Sequence, residues 1–402
     1  MLDIAFFCRV IPLDIKYEIL AKRKNTMSES GESLQWNIID GLDQNLGYPI
    51  KLFNYMPIQS FPKHYPDPFV KGSRFSHCAG ASDVNLSFNN VAFIKRMFMG
   101  TSLNREIKKW AREDNGGDKV IICYSLIPEY MNAIKIAKKI NPNIVVCAIV
   151  ADLPEYTVLE KRMNWSTKLY LRWMKKNTES KLPLIDKFVL LTDQMAERLV
   201  THQKYIVMEG IFTQTENVTS NTENREPYIL YAGTLHERFG VMNLVHAFHN
   251  WKRKDVKLYI CGIGDSKHKI EDYAKKDDRI VYWGQLSREQ VLQLISNATI
   301  IVNPRFGTEE YTKYSFPSKN LEALSSGVPF VAYKLAGIPK EYDDYIYYPA
   351  DDSPEALALA FEEVLEQYDI SKSTALKARE FIMEHKNQVA QTKRILELIL
   401  DV

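Results

Sequence analysis

Three cations, Arg305, Lys313 and Lys319, fall in one short polar stretch of the chain. Cations gathered beside a helix start can neutralise a diphosphate, because the first N–H groups of the helix are unpaired and its dipole favours negative charge. Glu322 follows within the same helix, and its carboxylate suits a pair of sugar hydroxyls such as those of a ribose. The surrounding pattern supplies the elements that must hold these residues. The apolar run Ala298 to Val302 reads as a buried strand and Val328 to Tyr333 as another. Between them, Pro317 fits the first turn of a helix, with Ser315 or Phe316 as its cap. Leu321, Ala323 and Leu324 give that helix an apolar side, and Ser326–Gly327 ends it.

The same logic applies at other predicted strand ends, where ligands of open α/β sheets gather. IAFFCRV near the start reads as a strand, followed by a long charged loop and then Gly31 before a helical pattern. YILYAGTLHERFG repeats the arrangement, with Gly233, Thr234 and Arg238 at its turn. A further strand ends at Gly284. The strand Ile144 to Val150 runs into ADLPEY, which puts Asp152 and Glu155 where chemistry occurs; the alternative for Asp152 is a turn cap. Residues 57–83 form a long loop rich in Pro, Phe, His, Ser and Gly. His64 and His77 lie in it, and a single loop histidine is more often solvated than catalytic.

The stretch TKYSFPSKNLEALSSG resembles the donor-site signature of the family 4 glycosyltransferases of GT-B fold, in the branch found in capsular, exopolysaccharide and O-antigen synthesis. Glu322 matches the second of that signature's two glutamates; Tyr314 stands where the first belongs. The resemblance implies that Gly31, Gly233, Thr234, Arg238, Gly284, Lys313, Tyr314, Ser315, Phe316, Pro317, Ser318 and Glu322 line the nucleotide-sugar site, and that Asp152 lies near the reacting sugar. It also exposes a difference. Relatives carry an Arg directly after the first glycine and a Lys before the next, and both bind diphosphate; this chain has Thr234 and Phe239 there. Arg305 and Lys319 are then the groups left to stabilise the leaving diphosphate. The resemblance implies two Rossmann-like α/β domains facing each other across a cleft.

The bulk composition agrees with a globular chain of two domains. Of the 402 residues, 46% are hydrophobic and 25% charged, with no apolar run long enough for a membrane span. The first apolar run is too short for a signal-peptide core, which points to the cytoplasm. The five cysteines at 8, 78, 123, 147 and 261 have no metal-ligand spacing and read as reduced thiols. Residues 1–210 hold 29 Lys and Arg against 22 Asp and Glu, while residues 211–402 hold 23 against 28. A basic first half suits an anionic surface. Trp165, Leu169 and Trp173 repeat on one helical side, flanked by Lys161, Arg162, Lys168, Arg172, Lys175 and Lys176, a pattern fit for the inner membrane face and its anionic lipids. A core-packed helix with a solvated basic side is the alternative. No nucleic-acid module is present.

These readings predict an acceptor-binding domain over residues 1–211, a polar linker over 212–227, a donor-binding domain over 228–385 and a terminal helix, 386–402, crossing back. The expected activity is transfer of a hexose from a nucleotide diphosphate sugar, a UDP-sugar ahead of a GDP-sugar, to a hydroxyl of a glycan or lipid-linked acceptor. Retention of configuration comes from the resemblance. No Asp-x-Asp motif occurs, so no metal or other cofactor is expected. A nucleotide-sugar epimerase of the same fold, and a non-catalytic nucleotide-sugar-binding subunit, are the alternatives.

Overall fold

The computed structural model describes residues 1–24, 30–91, 95, 99–153, 165–213 and 226–401. The chain forms two units: Met1–Ile211 with Gln388–Val402, and Phe212–Asn387. In the first, the strands are β1 (Leu2–Cys8), β2 (Lys51–Asn54), β3 (Phe69–Val70), β4 (Ser73–Phe75), β5 (Asp83–Asn85), β6 (Phe88–Asn89), β7 (Asp118–Tyr124), β8 (Val145–Val150), β9 (Lys187–Leu190) and β10 (Lys204–Val207). Eight of them make one sheet in the order β10-β9-β8-β7-β1-β2-β5-β4, parallel except for the β4–β5 pair. Strands such as IAFFC and VIICY are apolar throughout because helices cover both sides of a parallel sheet. Ile4, Phe6, Ile122 and Ile149 pack with Ile38, Ile39 and Leu42 of the helix Ser30–Leu46. The helix Gln388–Leu400 adds Ile395, Leu396 and Ile399 to the same core. It is tied to the Ser30–Leu46 helix by Asn45, whose amide donates to the Val389 carbonyl and the Thr392 hydroxyl, each at 2.9 Å.

The second unit holds β11 (Tyr228–Ala232), β12 (Lys257–Cys261), β13 (Ile280–Gly284), β14 (Ile300–Asn303) and β15 (Phe330–Ala332). They form a parallel sheet in the order β13-β12-β11-β14-β15. Its core joins Ile229, Leu258, Ile260, Ile300 and Val331 to Leu244, Val245 and Phe248 of the helix Val241–Asn250, and to Leu357 and Phe361 of the helix Pro354–Glu366.

In each unit the first strand lies inside the sheet and the chain winds away from it in both directions. The strand order therefore reverses between β1 and β7, and again between β11 and β14. Such reversals leave a crevice beyond the carboxyl ends of the two strands.

Several elements differ from the sequence expectation. Residues 10–30, expected as loop, contain a short helix, Lys16–Lys22, with Ile19 its buried residue. A helix is predicted over Ala92 to Trp110; among the described residues Lys95 is helical, and the helix Thr101–Arg112 follows after Gly100. The helix Lys267–Lys276 lies between β12 and β13 and was not expected. Pro317 is the cap of the helix Ser318–Ser325 rather than its first residue. The apolar run Tyr345 to Tyr348 predicts a last short strand, and it contributes a single bridge, Val331 to Tyr347. The expected linker lies largely outside the described residues, as does Glu155.

Candidate functional site

At the second unit's strand reversal, β14 ends at Asn303 and leads through Arg305 to the helix Ser318–Ser325. Lys319, in that helix's first turn, is exposed as a residue. Its ammonium end turns inward to donate to the carbonyl of Ala232, the last residue of β11. Burial of that end lowers its pKa, with Glu322 acting in the opposite direction. A cation thus reaches the turn that begins at Gly233. Arg305 lies against two rings, Phe239 at 5.4 Å and Tyr311 at 5.0 Å, and donates to the Ser315 hydroxyl at 3.2 Å. Arg238 lies 4.8 Å from the same Phe239 ring. The residue standing in place of the relatives' Lys is therefore a ring that gathers two guanidinium groups.

The two loops are held in close contact by Gly240. Its φ is +77°, and a Cβ there would fall 1.7 Å from the Pro304 carbonyl oxygen. Among the described residues, three buried donors in this strand-loop-helix unit have no hydrogen-bond partner: Arg305 Nε, Tyr311 Oη and Asn320 Nδ2. Buried donors are normally paired, so such a group points to a bound acceptor.

The remaining expected donor-site residues take separate places. Glu322 sits 3.5 Å from Arg288, the first residue of the helix Arg288–Asn297. Thr234 and Ser318 are exposed, as is Lys313, while Tyr314, Phe316 and Pro317 are buried. Phe316 packs against Tyr342, with ring centroids 5.7 Å apart, so these aromatic residues fix the loop from beneath. Gly284 ends β13 with φ +71° and open space around it.

At the first unit's reversal, Gly31 lies beside Tyr124, whose hydroxyl would be 3.8 Å from a Cβ at Gly31. Burial raises the Tyr124 pKa, and the Asp152 charge raises it further, which places Asp152 close by. Asp152 is exposed as a residue, yet desolvation of its carboxyl raises its pKa. Ser125, next along from β7, has φ +81°. A serine held in the left-handed region is the kind of strain concentrated at binding sites.

Sequence reading missed three charged groups here. The sequence pattern puts Lys95 with Arg96, Arg105, Lys108 and Lys109 on the basic side of a helix over Ala92 to Trp110. Instead the Lys95 ammonium donates to the Ile58 carbonyl at 2.6 Å and the Asn90 side chain at 3.2 Å. Burial, with Arg9 nearby, lowers its pKa to about 8. Burial raises the pKa of Glu129, against the influence of Arg9 and Lys95. Arg9 follows β1 directly and Glu129 lies in the first turn of the helix Pro128–Ile140 after β7, so their positions beyond apolar strands were the available signal. His77 lies elsewhere in this unit.

In the helix Trp165–Glu179, Leu169 and Trp173 are 59% and 53% exposed. Lys161 and Arg162, and the side chains of Trp165 and Lys168, lie outside the described residues. Among the described residues no helix is long and apolar enough to cross a membrane.

Comparison with known proteins follows the same division. Residues 226–367 match the family model described as Glycosyl transferases group 1. No curated protein matches the chain. Among solved structures, the chain is similar to the lipopolysaccharide outer core galactosyltransferase WaaB in its apo form. The TM-score is 0.62 at 17% identity, covering 100% of this chain and 99% of that one. Sucrose-phosphate synthase from Thermosynechococcus elongatus gives a TM-score of 0.61 at 17% identity over 99% and 98% of the two chains. The HepE protein of Anabaena in complex with UDP gives 0.57 at 12% identity over the full length of both. The match over residues 226–367, on a chain of GT-B fold, makes this protein a glycosyltransferase that carries a group 1 domain.

Proposed function

We propose that the chain transfers a hexose from a nucleotide diphosphate sugar, a UDP-sugar by preference, to a hydroxyl of a glycan or lipid-linked acceptor in bacterial surface polysaccharide synthesis. The observation that carries this reading is the donation from Lys319 to the Ala232 carbonyl, at the head of the Gly233 turn, with Arg305 on the loop that leads to the same helix. It concentrates positive charge where a diphosphate leaves carbon 1. Negative charge grows on the leaving oxygens towards the transition state, and preorganised cations there stabilise it without a metal. The UDP held by HepE supports the nucleotide, and the named activity of WaaB supports a surface-glycan acceptor. The first unit is assigned the acceptor and the second unit the donor. Retention of configuration follows from the family 4 resemblance. A thermal-shift screen of nucleotide sugars tests the donor directly: a true donor at 100 times its Kd adds about 2.7 kcal/mol, and no stabilisation by any of them would reject the reading.

Glu322 is assigned to the hydroxyl pair of the donor's nucleoside. Glu322→Ala should weaken nucleotide-sugar binding about 10- to 100-fold, the scale for losing hydrogen bonds to a charged acceptor. Calorimetry giving the wild-type Kd would leave Glu322 as the partner of Arg288 alone.

The exposed Leu169 and Trp173 on a basic helix suit a peripheral position on the cytoplasmic face of an anionic membrane. Replacing both by serine should reduce partitioning onto anionic vesicles about tenfold, equivalent to about 1.4 kcal/mol of apolar burial. Unchanged cosedimentation of the double variant would show that this helix does not meet the lipid.

A further inference from the structure

At the amino-terminal edge of the first unit's sheet, away from the strand ends described above, the His77 ring is enclosed by two carboxylates. Its side chain is only 4% exposed. Nδ1 lies 2.8 Å from Asp83 Oδ2, and Nε2 lies 2.7 Å from Asp43 Oδ2. Asp83 opens β5, is fully buried, and is fixed by accepting the backbone N–H groups of His77 at 2.8 Å and Leu52 at 2.9 Å. Asp43, near the end of the Ser30–Leu46 helix, is fixed through its other oxygen by the N–H of Ile50 at 2.9 Å. The next residue in the chain, Cys78, brings its Sγ to 3.5 Å from Asp43 Oδ2. Three atoms of different chemistry, an imidazole nitrogen, a carboxylate oxygen and a thiol sulfur, thus converge within 4.8 Å of one another.

We propose that His77 Nε2, Asp43 Oδ2 and Cys78 Sγ form a site for a divalent transition metal of zinc chemistry, with Asp83 as the carboxylate that orients the histidine. A ligating histidine characteristically donates its other ring N–H to a carboxylate, which fixes the tautomer and raises ligand basicity. The Nδ1–Asp83 bond does this here. The spacing also fits. Tetrahedral zinc with sulfur at about 2.3 Å and oxygen at about 2.0 Å places those two ligand atoms about 3.5 Å apart, the separation found between Sγ and Oδ2. The nitrogen and oxygen ligands need about 3.3 Å, so metal entry widens the His77–Asp43 contact by about 0.6 Å. Cys78, the third ligand, is exposed.

Protons and charge balance. Without metal, the ring donates from both nitrogens and the thiol keeps its proton. Metal entry releases one proton from Nε2 and one from Sγ, exchanging a dication for two protons, so the net charge of the cluster is unchanged. The bound ion would tie the turn before β5 to the Ser30–Leu46 helix. It would take no part in transfer.

The test uses the full chain, stripped with a chelator and desalted. Calorimetry with zinc should show one ion bound per chain with sub-micromolar affinity. Cobalt should produce a thiolate-to-metal charge-transfer band. Of the five cysteines, Cys78 alone is exposed, so alkylation of the folded protein reports on it, and zinc should slow that reaction at least about tenfold. Cys78→Ser should abolish the cobalt band, and Asp83→Asn should weaken zinc about 10- to 100-fold. His77→Gln risks unfolding, whereas Cys78→Ser changes an exposed atom and keeps the test decisive. Absence of a cobalt band, or equal zinc uptake by the wild type and Cys78→Ser, would overturn the site and leave His77 as the centre of an ion-paired latch.

Discussion

Arg305→Ala and Lys319→Ala are each expected to lower turnover by about 10²-fold or more, the scale for losing one donor to a developing oxyanion. Donor binding should weaken less, because the charge these groups meet is larger in the transition state than in the bound sugar nucleotide. The structure sharpens the contrast with Arg238. Both guanidiniums rest on Phe239, but Arg305 also contacts Tyr311 and Ser315, at the start of the loop leading to the Ser318–Ser325 helix. Arg238→Ala removes a neighbour on that ring and should cost less than about tenfold. Steady-state kinetics of the three variants, with binding measured separately, decide the matter. A severe Arg238→Ala beside normal Arg305→Ala and Lys319→Ala would move the diphosphate to the Gly233 turn.

Gly262→Ala should be strongly destabilising in the second unit. Gly262 follows β12 with φ +135°, a conformation open to glycine, and a Cβ there would fall 1.8 Å from the Gly233 carbonyl oxygen. Backbone strain and overpacking each cost about 1–3 kcal/mol, so a combined loss of about 3 kcal/mol or more is expected, lowering Tm by about 10 °C. The Gly233 turn would also shift, so nucleotide affinity should fall together with stability. Gly284→Ala is the control. It too has positive φ, but open space surrounds it, and about 1 kcal/mol of left-handed strain is the whole expected cost. Equal Tm values for the two variants would show that the close approach at Gly262 is not maintained in solution.

The sequence made the α/β fold readable because parallel strands buried on both sides leave continuous apolar runs, and each such run ends at a candidate site. It could not reveal elements that bury little. The helices Lys16–Lys22 and Lys267–Lys276 each bury one residue, Ile19 and Ile270, so no apolar period marks them. Nor does sequence tell which way a long side chain turns. Lys95 reads as one more cation on a basic side until tertiary contacts with Ile58 and Asn90 draw its ammonium inward. Tyr314 and Phe316 read as members of a ligand loop by position, whereas their rings fill the core beneath it. The Asp43–His77–Cys78 cluster is assembled from a helix and a distant turn, so it leaves no spacing to recognise.

The helix Gln388–Leu400 has a consequence for the order in which the chain acquires its structure. Asn45 and Thr392 touch although 347 residues separate them. A ribosome has already released all of the second unit before the first can receive this helix. The second unit, Phe212–Asn387, is contiguous and can close as soon as it emerges, whereas the first must wait with its core lacking Ile395, Leu396 and Ile399. The half of the protein made first is thus the last to be finished, and a nascent chain stalled before Gln388 would carry its exposed apolar surface near its beginning rather than at the growing end.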